Sequence, residues 1–360
     1  MNKRIIPLDG LRALCAMGVI WIHIWNSYGN PQLKLGPVDL YRAIAFLGNG
    51  VDFFFVISGF CMYLVFADKV IDTRFIFYFL KKRVLRILPA FYVAVIFYAI
   101  LNWKLINETF LESIIANFFM FQNFSTKYEI SGPFWSIATE WHFYLIIPLL
   151  FIFKNNSIVK KVILLMFFSL FFYALVNLNF MDYSFWEKQI LVRFPEFGWG
   201  IIVGYLYKTN YKPKKIFTGT IGLILGFLIL YFGRIIMVTE VLNKLGDAAF
   251  LFKTFSSTIM TFGFAHIMFL VITETSTFSK ILSWKPIQFL GKISYSIYLW
   301  HSAAIFFLYN FLTNLQFSNY NPIVGFMFVS ILSIIFATVS YYTLEYFYVK
   351  QAKQKLLGIN

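Results

Sequence analysis

Two polar side chains interrupt the first apolar segment of the chain: Arg12 near its start and His23 well inside it. Eleven helical steps of about 100° return to within roughly 20° of the starting face and rise about 16 Å, so one stripe carries both. Ionisable groups inside apolar spans are costly and mark functional candidates. We predict that Arg12 has an anionic partner and that the imidazole of His23 is a general base for a hydroxyl proton. The alternative is a snorkelling Arg12 beside a His23 that a neighbouring helix satisfies.

A second pair, Ser136 and Glu140, is spaced so that both residues share one helix face. Glu140 is a carboxylate inside an apolar segment, where only a partner or a polar cavity makes the charge tolerable. A functional site is one interpretation of the pair, and a structural ion pair is the other. His142 lies on a different face, and we interpret it as a core or interface residue.

Arg83 and Arg86 are one helical turn apart, just before Pro89. Two guanidinium forks at this spacing can bind one anion. Lysine would satisfy the charge bias of an inner loop equally well, so two arginines favour a phosphate-bearing ligand. The alternative is a basic loop that only reflects membrane topology.

Three charged residues lie at the predicted outer ends of two spans: Asp52, Arg193 and Glu196. We consider them candidates for the acceptor side of a site. Asp52 is equally well explained as a carboxylate stabilised by the positive end of its helix. Arg193 and Glu196 either pair with each other, which is the default, or grip a polar substrate.

A polar stripe follows one face of a later apolar segment. It consists of Ser294, Tyr298 and His301, which recur at i, i+4 and i+7. Glu345 places one more carboxylate near the predicted inner surface, and His266 receives no role. No set of residues has the spacing of a metal site, so we expect none.

Composition places these residues in a membrane protein. Of 360 residues, 60% are hydrophobic and only 13% are charged, against about 25% in soluble domains. Mean hydropathy is +0.72. The net charge of +15 lies in short clusters between apolar segments, which is typical of membrane topology and argues against a nucleic-acid partner. We predict an all-α integral membrane protein in contact with lipid.

About ten membrane spans can be drawn. They cover roughly 9–28, 47–66, 85–103, 135–153, 161–178, 191–207, 216–237, 250–272, 288–312 and 322–347. Most of the 31 Lys and Arg residues then fall inside, with both termini cytoplasmic. The connection 104–134 holds an apolar piece too short to span, which predicts a re-entrant or interfacial helix against protein or a water-filled cavity. We expect residues 1–360 to form a single membrane domain with no appended soluble domain.

Six motifs in order give the chain a resemblance to a known family. They are LDGLRAL with Arg-x10-His, VDFFFVISGF at 51–60, RVLRILP, WSIATEWHFYL at 135–145, RFPEF at 193–197 and GKISYSIYLWH at 291–301. With these motifs the chain resembles the bacterial membrane acyltransferase family 3, the group that contains O-antigen and other surface-glycan O-acetyltransferases.

This resemblance implies an O-acyltransferase of the bacterial cytoplasmic (inner) membrane. It would move an acyl group, first of all acetyl, from cytoplasmic acyl-coenzyme A to a hydroxyl of an extracytoplasmic or lipid-linked glycan. The implied donor-binding residues are Arg12, Arg83 and Arg86. His23 would be the catalytic base, with Ser136 and Glu140 completing the acceptor-side site. Glu140 would either orient His23 or bind the sugar.

Two departures and two alternatives accompany the resemblance. The family's usual Glu-Gln reads Glu140-Trp141 here, and its closing Glu-Pro reads Glu345-Tyr346, so no role for Glu345 is carried over. We also expect no fused esterase-like domain, in which case any second step would need another protein. One alternative is a transporter or flippase with Arg, His and Glu as a proton relay, which predicts matching broken helices in two halves. The other is an acyltransferase for a small membrane-diffusing molecule.

Overall fold

The computed structural model describes residues 4–36, 38–152, 157–178, 180–236, 249–315 and 321–347. Nearly all of its regular structure is helical. The helices of six or more residues are α1 (Ile6–Ser27), α2 (Gly50–Phe66), α3 (Thr73–Leu101), α4 (Phe110–Phe118), α5 (Phe134–Ile152), α6 (Ile158–Asn177), α7 (Ile190–Lys208), α8 (Gly219–Ile236), α9 (Ala249–Thr273), α10 (Thr277–Leu282), α11 (Lys285–Lys292), α12 (Ser294–Leu315) and α13 (Pro322–Ser340). A π-helical turn, Tyr341–Glu345, directly follows α13.

Each of the ten predicted spans falls largely on one of these helices. In the part of the chain that the structure describes, eight helices are long and apolar enough to cross a bilayer. The predicted spans outside that set are α7 and α12, because the polar side chains that make them site candidates also lower their hydropathy. The predicted fold class, an all-α integral membrane protein, is confirmed. The count of ten spans and the cytoplasmic termini stay predictions, and residues 1–3 and 348–360 lie outside the described residues.

The connection between α3 and α5 is held together by hydrogen bonds from side chains to nearby backbone groups. Its helix α4 has nine residues, well short of the roughly 20 that a span needs. Buried Asn117 donates from Nδ2 to the carbonyl oxygens of Ser113 at 2.8 Å and Tyr128 at 2.9 Å. These bonds hold α4 against the segment that leads into α5. The re-entrant placement of α4 stays a prediction.

Between α1 and α2, two short strands form an antiparallel pair: β1 (Lys34–Leu35) and β2 (Val38–Asp39).

The chain divides into two compact units. The first unit comprises Met1–Arg12, Val51–Ile71 and Thr139–Gln288, and the second comprises Ala13–Gly50, Asp72–Ala138 and Phe289–Asn360. In the first unit, α8 and α9 pack closely. A Cβ added to Gly226 would lie 2.6 Å from Cγ1 of Ile267, and one added to Gly233 would lie 2.5 Å from the backbone nitrogen of Met260. Small residues let helix backbones approach in a bilayer, where van der Waals packing drives association.

Helices α2 and α7 run parallel in the first unit. A Cβ on Gly200 would lie 1.9 Å from the carbonyl oxygen of Val56, and one on Gly204 would lie 2.7 Å from Cβ of Tyr63. Residue numbers therefore increase together along the two helices. A Cβ added to Gly59 of α2 would likewise lie 2.1 Å from the carbonyl oxygen of Phe197 in α7. The small residues fix the crossing and, with it, the side chains at the two N-termini.

In the second unit, α12 packs along α13, and the π turn packs against α3. Glu345 in this turn is buried and accepts a hydrogen bond from Oγ of Ser296. Ser296 also lies 3.3 Å from Oγ of Ser340. π turns occur frequently at functional sites. Glu345, whose following residue departs from the expected Glu-Pro pattern, is thus a buried acceptor that anchors the end of α13 to α12.

Candidate functional site

The second unit brings two histidines together. His23 projects from α1 and His301 from α12, with ring centroids 5.2 Å apart and ring planes tilted by 36°. His23 is exposed, whereas the accessible fraction of His301 is 0%. A second molecule can therefore reach one ring of this histidine pair, while the protein encloses the other.

The hydrogen bond of His301 fixes its tautomer. Its Nδ1 lies 2.5 Å from the carbonyl oxygen of Tyr298. Because a carbonyl oxygen only accepts, Nδ1 carries the proton, and the neutral ring presents Nε2 as an acceptor. This Nε2 is buried and has no hydrogen-bond partner among the described residues. Buried polar atoms are rarely left unpaired, so Nε2 is an acceptor available to the neighbouring ring of His23.

Ser136 is linked to the histidine pair through Tyr298. Oγ of Ser136 lies 2.7 Å from Oη of Tyr298, which donates to the carbonyl oxygen of Pro133 at 2.7 Å. The ring centroid of Tyr298 is 5.6 Å from that of His301. Two members of the predicted polar stripe therefore meet Ser136 or His23, and the third, Ser294, is buried at the first position of α12.

Tyr98 of α3 contacts the backbone of the helix that carries His301. Its Oη donates to the carbonyl oxygen of Leu299 at 3.0 Å and accepts from the N–H of Ala303 at 2.8 Å. These two backbone groups are the i and i+4 partners of an α-helix and lie on either side of His301 in the chain. The hydroxyl of Tyr98 thus holds the helical turn that carries His301.

In the first unit, Arg12 lies at the end of a chain of charges. Its Nη1 is 3.3 Å from Oδ1 of Asp9, whose Oδ2 is 2.7 Å from Nη2 of Arg4. Nη2 of Arg12 donates to Sγ of Cys61 at 3.2 Å. The structure thus gives Arg12 an anionic partner one turn earlier on α1. His23 lies on the same helix, but the two side chains have different partners.

Glu140 is held by hydroxyl groups and by a cation. It accepts a hydrogen bond from Oη of Tyr144, one turn along α5. Oγ of Ser58 donates to the same Oη at 3.2 Å. The guanidinium of Arg12 acts electrostatically on both Glu140 and Tyr144. Ser136 and Glu140 follow the predicted spacing, yet their hydrogen-bond partners are different.

At the N-termini of α2 and α7, Arg193 is paired with two carboxylates. Its Nη1 lies 3.3 Å from Oδ1 of Asp52 and 3.2 Å from Oε1 of Glu196. Its Nε donates to the carbonyl oxygen of Glu187 at 2.5 Å, and Oγ of Ser257 donates to Glu196 at 2.9 Å. Helix N-termini favour carboxylates. Arg193, Asp52 and Glu196, here called the ion cluster, therefore show the default self-pairing, widened to include Asp52.

Arg83 and Arg86 differ in their surroundings. Arg86 is exposed, whereas Arg83 is half-buried with its Cζ 5.4 Å from the ring centroid of Phe79. Oη of Tyr295 donates to the carbonyl oxygen of Ile87 at 3.0 Å, which joins the start of α12 to this part of α3. The guanidinium of Arg86 is accessible to an anion.

Four residues of these sites were not singled out by sequence reasoning: Asp9, Tyr144, Tyr98 and Ser257. Asp9 and Tyr144 each lie one helical turn from a predicted site residue, so helical spacing alone could reveal them. Tyr98 and Ser257 reach their partners from distant segments, and no local signal marks them.

Comparison with known proteins places nearly all of the described helical region in one family. Residues 5–342 match the family described as an acyltransferase domain, acyltransferase 3. Similar curated proteins include the O-acetyltransferase OatA of Staphylococcus aureus strains NCTC 8325 / PS 47, COL and MRSA252, each 28% identical over 373 aligned positions. The alignment covers 96% of this chain and 57% of the relatives, so the chain spans little more than half their length. No solved structure matches the chain. The chain belongs to the membrane acyltransferase 3 family.

Proposed function

We propose that this membrane protein transfers an acetyl group from cytoplasmic acetyl-coenzyme A to a hydroxyl of an extracytoplasmic or lipid-linked glycan. Family membership supports acyl transfer, and relatives named O-acetyltransferase support acetyl as the group. The observation that carries the mechanism is the exposed ring of His23 beside the enclosed ring of His301. The cell compartment that follows is the bacterial cytoplasmic membrane.

In the proposed reaction, His23 is the general base. It takes the proton of the acceptor hydroxyl while the hydroxyl oxygen attacks the thioester carbonyl. The new C–O bond forms and the C–S bond breaks. The departing thiolate takes the proton from the imidazolium, so the products are an acetyl ester and coenzyme A.

His301 is proposed as a positioning residue for this base. Its proton is fixed on Nδ1, so Nε2 can accept an N–H of His23 once that ring becomes an imidazolium. A hydrogen bond to a charged group contributes about 1.5–3 kcal/mol. Ser136 acts in turn on Tyr298, which packs beside His301. His301 and Ser136 thus contribute only to the geometry of the site, and His23 alone transfers the proton.

The donor is proposed to be held by arginines, because guanidinium forks match phosphate oxygens. The exposure of Arg86 supports this role, with Arg83 one turn away on α3. Arg12 is proposed as a further donor-positioning cation, although Asp9 already pairs with it.

On the acceptor side, Glu140 is proposed to bind sugar hydroxyls through its carboxylate, which Tyr144 and Ser58 hold in place. The charged groups of the ion cluster pair with one another inside the protein. We therefore propose that it supports the acceptor side structurally and does not itself bind the sugar.

The test combines surface chemistry and an isolated reaction. Mass spectrometry of surface glycans from cells with and without the gene should show acetyl esters that disappear on deletion and return with the wild-type gene. The purified protein in nanodiscs should transfer labelled acetyl from acetyl-coenzyme A to glycan isolated from the deletion strain. Identical glycans in both strains, together with no transfer in vitro, would reject the function.

A further inference from the structure

A cation surrounded by aromatic rings lies at the end of the second unit that carries Arg86. Nζ of Lys292 is 4.8, 5.4 and 5.5 Å from the ring centroids of Tyr341, Tyr342 and Tyr346. The three ring centroids are 5.3 to 6.1 Å from one another. These four residues are called the lysine–tyrosine cluster below.

The cluster belongs to an accessible surface. Tyr342 is 49% exposed and Tyr346 is 39% exposed, whereas Tyr341 is buried beneath them. Arg86 is also exposed, and its guanidinium acts electrostatically on Tyr341 and on Glu345. Two cationic groups and two open aromatic faces therefore lie in one neighbourhood.

Internal contacts hold this surface in place. The hydrogen bond from Tyr295 to the carbonyl oxygen of Ile87 joins the start of α12 to the residue after Arg86. Buried Glu345 accepts from Ser296 and so anchors the π turn that bears Tyr341 and Tyr342 and directly precedes Tyr346. The placement of the lysine–tyrosine cluster beside Arg86 is therefore fixed by buried contacts of the second unit and not by exposed side chains alone.

The chemistry of the surface fits a nucleotide. Every nucleobase has a π face that stacks on exposed aromatic rings, and Lys and Arg form charge-assisted bonds with phosphate. A membrane-interface belt also supplies tyrosine and lysine, but it has no need of an ammonium enclosed by three rings beside a pair of arginines. An anionic lipid headgroup shares the phosphate and lacks the base.

We propose that the lysine–tyrosine cluster and Arg86 form the subsite for the adenosine 3′,5′-bisphosphate end of coenzyme A. The adenine stacks on the ring of Tyr342, the more exposed of the two, and Tyr346, tilted by 60° to that ring, packs against the edge of the base. Lys292 and Arg86 pair with the phosphates. This inference rests on the proposed function, since it places one end of the proposed donor.

The experiment measures binding to the full chain in phosphatidylcholine nanodiscs, with coenzyme A and adenosine 3′,5′-bisphosphate as probes. Tyr342→Leu combined with Tyr346→Leu should weaken both ligands by about tenfold or more, because it removes base stacking. Tyr342→Phe combined with Tyr346→Phe keeps the rings and should bind like the wild type. Tyr231→Leu, at a tyrosine of α8 that is 43% exposed, is the matched control and should change nothing.

The outcomes separate this subsite from the donor assignment. Equal coenzyme A affinity in the wild type and the leucine variant overturns the subsite alone. Failure of the wild type to bind coenzyme A overturns both the subsite and the proposed donor. In nanodiscs with phosphatidylglycerol, Lys292→Gln should weaken coenzyme A. If this variant alters only the enrichment of phosphatidylglycerol around the protein, the surface serves a lipid and the proposal is wrong.

Discussion

The histidine pair and the ion cluster are two ways of keeping polar groups inside apolar helices. In the ion cluster, Arg193 has a carboxylate on either side within 3.3 Å. In the histidine pair, the rings are close, but Nε2 of His301 has no partner in the described part of the chain, and His23 is exposed. A matched charge gains stability and has little left to offer a ligand. An unmatched neutral acceptor beside an accessible ring is suited to chemistry. Ionisable residues in a span thus separate into two kinds by what already contacts them.

The largest effect is expected from His23→Ala. Loss of a general base should lower the rate of acetyl transfer by about 10²- to 10⁴-fold. The unfolding midpoint should stay close to that of the wild type, because the side chain is exposed. Initial rates with labelled acetyl-coenzyme A and thermal unfolding in detergent measure the two quantities.

The matched control for this variant is His266→Gln. His266 belongs to the first unit, where its Nε2 lies 3.1 Å from the carbonyl oxygen of Gly222, a bond that the glutamine amide can replace. This variant should keep the wild-type rate. Unchanged acylation in His23→Ala would remove His23 from the mechanism and erase the contrast between the two groups.

Arg193→Met tests the other side of the comparison. It leaves Asp52 and Glu196 buried without their cation, which should destabilise the protein by about 3–5 kcal/mol. Adding Asp52→Asn and Glu196→Gln removes the uncompensated charges and should recover most of that loss. Unfolding midpoints of the single and triple variants give the measurement. A fully stable Arg193→Met protein that has lost transfer would assign the ion cluster to the chemistry instead.

His301→Phe is expected to affect rate more than stability. It removes an acceptor worth about 1.5–3 kcal/mol toward a charged partner, or roughly 10- to 150-fold in rate. His301→Gln retains an acceptor oxygen and should recover part of the activity. The kcat values of the two variants decide the point. Equal kcat values for His301→Phe and His301→Gln would show that the acceptor atom does not contribute to the rate and that His301 only fills space.

The smallest effect is expected from Tyr98→Phe. Tyr98 belongs to neither the ion cluster nor the histidine pair, but it contacts the helix that carries His301. Loss of the hydroxyl removes its hydrogen bonds to Leu299 and Ala303 and should cost about 1 kcal/mol. The turn that carries His301 is then held less firmly, which should lower kcat by a few-fold. Thermal unfolding and initial rates are again the readouts. A stability loss with an unchanged rate would mean that this contact does not position the ring.

The membrane fold could be predicted because hydropathy is a local property of the chain. The same is true of the pair formed by Arg193 and Glu196, which lie one turn apart on α7. The contact between His23 and His301 could not be predicted, since it depends on how α1 meets α12, and residue spacing carries no such information. The contact of Tyr98 with the backbone of α12 likewise depends on tertiary packing. Glu345 escaped prediction for another reason: its sequence context departs from the family pattern, although its burial does not depend on that context.

The parallel packing of α2 and α7 has a topological consequence. Two helices that point the same way through a membrane require an odd number of crossings between them, and three helices between α2 and α7 are long and apolar enough to cross: α3, α5 and α6. This parity supports counting α7 among the spans despite its polar composition. Gain or loss of one intervening crossing would send the N-termini of α2 and α7 to opposite faces and separate Asp52 from Arg193. The contact between Asp52 and Arg193 therefore forms only when the chain between α2 and α7 crosses the membrane an odd number of times.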